Sequence, residues 1–488
     1  MNAKEIGSLK KELLAIDELM KGAEKEFSKL IRKVHPSNYK SAVNLLHYLV
    51  LRSQDIRSLQ DRLHAAGLSS LTSSESHVRG QLLSVLHYLG VKQKFPSQVL
   101  NYEQGKELYN TNAISLMGDK QNELIPFIMA TFDKKNADDY ATVKSMMQSG
   151  MNVARINCAH DDESTWFRMI QNIRRASKIT GLSCKIYMDL AGPKIRTSFI
   201  DEKKIKIKEG KSIALVDEDH LVPDDDKMVG CTIKGIVSQL KEGERVLFDD
   251  GLIETRVEKI EGDRAMVQVL RISSKKPCIK HGKGINFPDS KLEFSALTEY
   301  DRECLPFVMK HADMVGYSFV RSADDLMELK QAMMGKGRKP SLVIKIETPE
   351  AVLNLPSLLF CGLEDEHVGV MIARGDLAVE IGFERMSEIQ EEILWICEAA
   401  HVPVIWATQV LETLNKSGVA TRSEVTDAAH AGLADCVMIN KGHHIIRVIE
   451  TLRDILLRSG GHHDKKRYTF RPLTLAMRFL DQGSKASN

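Results

Sequence analysis

Residues 341–376 read SLVIKIETPEAVLNLPSLLFCGLEDEHVGVMIARGD. Two continuous apolar runs, SLVIKIE (341–347) and HVGVMIA (367–373), flank this stretch. A strand covered on both faces reads as an unbroken apolar run, and parallel strands need a crossover between them. The same rhythm extends outward in both directions. Upstream lie IPFIMATF (125–132), NVARIN (152–157), CKIYMDL (184–190) and DMVGYSFV (313–320); downstream lie PVIWATQ (403–409) and CVMIN (436–440). Helical patterns fall between them, as in MSEIQEEILWICEAA (386–400), where Ile389, Ile393, Ile396 and Cys397 share one face. Eight such strands predict an α/β fold, a closed (β/α)8 TIM barrel, with a doubly wound open sheet as the alternative.

One gap interrupts the rhythm. Between the third and fourth strands, residues 198–285 read as short strands and turns, among them KKIKIKEG, SIALVD, ERVLFDDG, LIETRVEKI and RAMVQVLR. An inserted all-β, barrel-like lid domain is expected there. It leaves from the carboxyl end of a strand, where a barrel carries its site. The barrel itself is expected over 121–197 and 286–460, with a tail at 461–488. Residues 1–120 form a helical N-terminal region, with apolar residues at helical spacing over 4–32, 39–66 and 75–91 and no chemistry of their own.

Bulk properties narrow the function classes. The chain has 488 residues, 43% hydrophobic and 27% charged, with a formal net charge of +2. No global field points to nucleic acid or a membrane surface as partner. No apolar run approaches the roughly 20 residues of a membrane span. The eight cysteines are dispersed, without a C-x-x-C pair, which fits a reducing compartment. The N-terminus mixes acids and bases without an apolar core, so a cytoplasmic protein is expected.

Polar residues gather where the apolar strands end. They are Arg155 and Asn157; Asp189, Lys194 and Arg196; Ser318 and Arg321; Lys345 and Glu347; Arg374, Gly375 and Asp376; and Thr408 with Gln409. A spacing of two places Arg155 with Asn157, and Lys345 with Glu347, on one strand face. Carboxylates suit Mg2+ or Mn2+, the cations suit phosphate, and Gly375 permits close backbone approach. The pattern points to metal-assisted work on a phosphorylated or carboxylated small molecule. His443 and His444, without a third ligand, read as surface residues.

The ordered motifs SGMNVARINCAH, MDLAGPKIRT, FDDGLI, SFVRSADD, IKIETPEAV, MIARGDLAVEIG, PVIWATQVLETL and ATRSEVTDAAHAGLADCVM resemble those of the pyruvate kinase family over about 125–440. The resemblance implies phosphoryl transfer from phosphoenolpyruvate to ADP, giving ATP and pyruvate in glycolysis. It implies Glu347 and Asp376 as ligands of Mg2+ or Mn2+, and Lys345, Thr408 and Arg155 as catalytic residues. Arg155 and Arg196 would contact nucleotide or phosphoryl oxygens. The backbone of Arg374, Gly375 and Asp376, with Thr408, would hold the substrate carboxylate. Asn157, Asp189 and Lys194 would form the monovalent-cation region.

The chain also departs from the family text. Lys194 stands where the family usually has an acid, Ala159 where it has Ser, and Leu190-Ala191 where it has Thr-Lys. On this reading Lys194 and Arg196 neutralise Asp189, and K+ is not required. After the eighth strand Asn440-Lys441-Gly442-His443 replaces Ser-Gly-Glu-Thr, and TFD (131–133) replaces Thr-Ile-Gly-Pro. The family's C-terminal regulatory domain is expected to have no counterpart, and by analogy with a family subunit contact at 421–433 a homodimer is expected. Two other readings compete: a catalytically weak phosphoenolpyruvate- or pyruvate-binding sensor or scaffold, and a divalent-dependent lyase handling pyruvate enolate.

Overall fold

The structure, a computed structural model, describes residues 3–200, 204–223, 227–274, 277–335, 339–460, 463–465 and 467–468. The expected tail at 461–488 lies almost wholly outside these residues.

Eight strands form a closed parallel barrel: β1 (Phe127–Thr131), β2 (Val153–Asn157), β3 (Lys185–Asp189), β4 (Met314–Tyr317), β5 (Ser341–Ile346), β6 (Val368–Ala373), β7 (Val404–Ala407) and β8 (Cys436–Ile439). Each pairs with its sequence neighbour, and β8 closes on β1 with Phe127 opposite Cys436. The open-sheet alternative is thereby excluded. Phe127, Met129, Val153, Tyr187, Met314, Val343, Met371, Ile405 and Met438 fill the interior. The alternate residues of the same strands, such as Ile128, Ala154, Ile344 and Trp406, face the surrounding helices. Both strand faces are therefore dry, which is why the runs read as continuous rather than alternating. The ladders are one to four residues shorter than the apolar runs. Leu190, Glu347 and Gln409 lie just past them, where the chain turns outward.

Residues 3–117 are helical, in pieces that include Ala3–Glu26, Tyr39–Arg52, Arg57–Ala65, Val78–Tyr88 and Tyr102–Met117. The last helix has no counterpart among the three segments expected from periodicity. Its start was nevertheless legible: Asn101 and Gln104 form a reciprocal capping box. Ala113, Leu116 and Met117 on this helix pack into the barrel interior beside Phe127 and Met371. The fit is close enough that a Cβ on Gly369 of β6 would come within 2.6 Å of Leu116.

Between β3 and β4 the inserted segment forms a seven-stranded sheet and a two-stranded one. Thr197–Ser198 and Ile285–Asn286 are the outermost strands of the large sheet, and they approach one another at a bridge between Arg196 and Gly284. Its core holds Leu215, Val229, Phe248, Val257 and Val267. Met228–Cys231, within this sheet, was not among the expected strands.

Candidate active site

The centre of the upper rim is a buried quartet of charges. Asp189 closes β3 and is 1% exposed. Arg155 of β2 donates to its Oδ2 through Nε at 2.9 Å and Nη2 at 2.5 Å. Lys345 Nζ, from β5, lies 3.2 Å from Asp189 Oδ1 and 3.2 Å from Glu347 Oε1. It also donates to Ser318 Oγ at 2.6 Å, and Ser318 in turn donates to the Leu190 carbonyl at 2.8 Å. Two cations and two anions thus balance in a region from which water is largely excluded. An ammonium this buried keeps its proton only beside such partners.

The titration shifts follow this balance. Burial disfavours ionisation of Asp189, but the charges of Lys345 and Arg155 outweigh it and hold the carboxyl below its usual range. Burial pulls Lys345 down, and Asp189 and Glu347 more than restore it. Glu347 goes the other way. Burial pushes its pKa up, and the nearby charge of Asp376 pushes further, against the pull of Lys345 and of the Phe319 N–H, which donates to Oε2 at 2.7 Å.

The expected neutralisation of Asp189 by Lys194 and Arg196 does not occur. Lys194 Nζ sits 2.6 Å from Asp376 Oδ1 instead. The Arg196 guanidinium donates to the Gly282 carbonyl at the root of the lid. The reason is geometric. Arg155 stands opposite Tyr187 on the adjacent strand, two residues before Asn157 and Asp189 pair, and its long side chain reaches forward to the Asp189 carboxylate. Lys194 lies beyond the turn at Gly192, which carries the chain away from β3 and toward the helix Arg374–Ile381.

The remaining expected residues separate into two groups. Gly375 and Thr408 stay at the rim: the Gly375 N–H donates to Thr408 Oγ1 at 2.7 Å. A Cβ at 375 would lie 3.3 Å from that hydroxyl, so glycine suits the approach. Thr408, Gln409 and Phe319 all have positive φ, at 68°, 58° and 56°. Such backbone strain concentrates where a site is held in place. The Arg374 side chain turns away. It grips Asp427 with two nitrogens, donates to the Thr408 carbonyl at 2.6 Å and lies 4.6 Å from the Trp406 ring centre. Only its backbone is left for a ligand at the rim. Arg321 also turns away, donating to Leu292 and Phe294 carbonyls and lying over the Phe294 ring.

Asn157 accepts from the Ala159 N–H at 3.0 Å. Together with Arg155, Thr131, Phe132, His160, Lys416 and Lys441 it lines a cavity of about 360 Å³ beside the quartet. Burial, then the charge of Lys441, pushes His160 down. The altered loop 440–443 is fastened through Asn415, which donates to the Asn440 carbonyl at 2.6 Å.

Several contributors were not anticipated. The Tyr187 hydroxyl donates to Asp189 at 3.2 Å from inside the barrel wall. A Cβ on Gly316 would come within 1.9 Å of that hydroxyl, so this glycine leaves room for the tyrosine. Asp427 and the pair Asn286–Glu380 were also missed. An aromatic on an apolar strand carries no sign of a polar partner, and pairs far apart in sequence carry none at all.

Glu347 and Asp376 present oxygen donors only, which suits Mg2+ or Mn2+. The ammonium of Lys194 already places one positive charge on Asp376. Among the described residues no three His, Cys, Asp or Glu side chains cluster as metal ligands. A divalent cation here would draw the rest of its shell from substrate and water. Among the described residues no helix is long and apolar enough to cross a membrane.

Residues 110–443 match the family model described as pyruvate kinase, barrel domain. The chain is 32% identical over 322 residues to a pyruvate kinase of Geobacillus stearothermophilus, covering 64% of this chain and 53% of that protein. It is 33% identical over 318 residues to a pyruvate kinase of Dictyostelium discoideum, covering 64% of this chain and 61% of the other. A cytosolic isozyme of pyruvate kinase from Glycine max is 32% identical over 302 residues, 61% of this chain and 58% of its own length. The chain thus spans between about half and three-fifths of these relatives. With the barrel model matched from β1 to β8, the chain belongs to the pyruvate kinase family.

Proposed function

We propose that the upper rim transfers the phosphoryl group of phosphoenolpyruvate to ADP, with a divalent cation held by Glu347 and Asp376. The observation that carries this reading is the placement of Lys345. Its ammonium is buried and charged, and it stands between Asp189 and Glu347 with Ser318 fixing its direction. From there it offsets the charge that spreads over the transferring phosphoryl oxygens. Gly375 N–H and the Thr408 hydroxyl, now bonded to each other, become donors to the substrate carboxylate. Arg155 belongs to the quartet and also lines the 360 Å³ cavity, where Lys416 and Lys441 favour an anionic acceptor such as the ADP phosphates. Arg196, at the root of the lid, would reach the same phosphates when the lid closes.

In the reaction the bond from phosphorus to the enol oxygen breaks and a bond to the terminal ADP oxygen forms. The enolate left behind takes a proton on carbon and becomes pyruvate. When bound, the divalent cation supplies Lewis-acid stabilisation of the phosphoryl and enolate oxygens. A coupled assay for pyruvate from phosphoenolpyruvate and ADP, with Mg2+ or Mn2+, tests the proposal. Turnover absent with both metals would sink it.

Activity without K+ is part of this proposal, although by a different route from the one expected. Arg155 and Lys345 already supply two positive charges to Asp189, and Leu190 and Ala159 offer no side-chain oxygen. Replacing K+ with tetramethylammonium should leave the rate within about twofold, and a drop of tenfold or more argues against it.

The sensor reading keeps one specific support: Lys194 occupies Asp376, the carboxylate that a catalytic metal needs. Phosphoenolpyruvate binding measured by calorimetry, in the absence of pyruvate formation, would favour it.

A further inference from the structure

Two strands carry the chain between barrel and lid. The outgoing one runs through Lys194 to Thr197, and the returning one runs through Lys283 to Asn286. They are joined by the Arg196–Gly284 bridge and by the Thr197 N–H donating to the Lys283 carbonyl at 2.7 Å. Each sends one side chain to the same short helix, Arg374–Ile381. Lys194 reaches Asp376 at 2.6 Å, and Asn286 Nδ2 donates to Glu380 Oε1 at 2.7 Å. Positions 376 and 380 are one turn apart on one helix face. Between these two fastenings and the lid root lies a cavity of about 260 Å³, walled by Phe287, Phe294, Phe319 and Leu353.

The two fastenings differ in what can undo them. The Asn286–Glu380 bond joins an amide to a carboxyl and does not involve the residues read as metal ligands. The Lys194–Asp376 pair uses the very carboxylate that the proposed function assigns to the divalent cation. Two cations compete for that charge, and the stronger field of a divalent ion displaces the ammonium. The Lys194 stem runs against the returning strand, where a Cβ on Gly284 would lie 3.3 Å from Lys194 Cε. Displacing the head group therefore disturbs both strands of the lid root.

We propose that Lys194 is a lid-borne counter-cation that holds Asp376 until a divalent cation takes its place, so that metal binding undoes one tie between the lid root and the barrel. This inference rests on the reading of Glu347 and Asp376 as metal ligands. Linkage makes the effect reciprocal: whatever strengthens the Lys194 tie weakens metal binding, and metal binding weakens the tie.

The test is calorimetric titration of the full chain with Mn2+, alongside hydrogen exchange with and without Mn2+. Asp376→Asn should weaken Mn2+ binding at least about tenfold. Lys194→Met, which keeps the stem and removes the charge, should tighten it about three- to tenfold, the scale of a partly exposed ion pair. Lys194→Gln serves as a second uncharged variant if the first folds poorly, and Lys194→Arg should bind as the wild type does. Mn2+ should speed amide exchange at 283–287 in the wild type, whereas in Lys194→Met exchange should be fast already and unresponsive. If Asp376→Asn weakens binding but neither uncharged variant tightens it, the counter-cation role is overturned and the metal reading stands. If Asp376→Asn leaves Mn2+ binding unchanged, both are overturned.

Discussion

The two mouths of the barrel are closed in opposite ways. The lower mouth is plugged by apolar packing: Ala113, Leu116 and Met117 rise into it from the helix Tyr102–Met117. Around that plug the N-terminal helices bond to the loops that enter the strands. Asn38 donates to the carbonyls of Leu363, Asp365 and Glu366; Asn44 donates to Ala399, Asn112 to His401 and Tyr109 to Asp435. His401, fully buried, bonds the Ser76 carbonyl, and burial lowers its pKa to about 4, so it stays neutral. The upper mouth holds Asp189, Lys345, Arg155 and Glu347 in place of apolar side chains. It is flanked by strained backbone at Phe319, Thr408 and Gln409. Charges that satisfy one another in the free protein can be shared with a ligand. An apolar plug has no charge to share. In a barrel the lower end serves stability and the upper end serves chemistry.

Substitutions can pull this contrast apart. The largest effect is expected from Lys345→Met, which should cut pyruvate formation about a thousandfold or more while leaving Mn2+ binding measurable. Rates near wild type would remove Lys345 from its assigned role. At the opposite mouth, Leu116→Ala should cost about 2–4 kcal/mol in denaturant unfolding and leave turnover per folded molecule unchanged. A matching loss of turnover would mean that the plug communicates with the rim.

Gly316→Ala lies between these extremes. The added methyl collides with the Tyr187 hydroxyl and with Asp189 Oδ1. It should cost about 1–3 kcal/mol and also reduce activity, because the displaced groups belong to the quartet's support. Stability loss with unaltered kinetics would confine Tyr187 to packing.

The smallest effect concerns Glu380. Burial, reinforced by the charges of Asp376 and Glu350, raises its pKa from about 4.5 to about 7. The folded protein then holds a proton that the unfolded chain has already released above pH 4.5. Stability from this group is full at low pH and is lost as pH rises through 7. Glu380→Gln should flatten that loss, raising the melting temperature at pH 8 by about 2–4 °C relative to wild type and leaving it nearly unchanged at pH 5. Equal shifts at both pH values would show that Glu380 does not titrate in this range.

Legibility followed sequence distance. The eight strands were readable because burial on both faces leaves continuous apolar runs such as CKIYMDL and HVGVMIA. Lys345 and Glu347 were readable as neighbours because they are two apart on one strand and point the same way. The partner of Asp189 was misassigned because proximity along the chain favoured Lys194 and Arg196. In space the Arg155 side chain reaches it from the neighbouring strand, two residues along from Asn157, which is the register partner of Asp189. Arg374 sits inside a motif associated with substrate, yet its guanidinium is committed to Asp427, 53 residues away. The helix Tyr102–Met117 escaped notice because its apolar residues are few and serve a barrel interior rather than a helical bundle.

The sequence by itself determined the barrel, the place of the insertion and the set of charged residues at the strand ends, since each depends on local periodicity or spacing. Only the tertiary structure decided which charges pair, that Lys194 goes to Asp376, and that an N-terminal helix seals the lower mouth. Pairing energies depend on distance through space and on exclusion of water, and both are set only when strands remote in the chain are brought side by side.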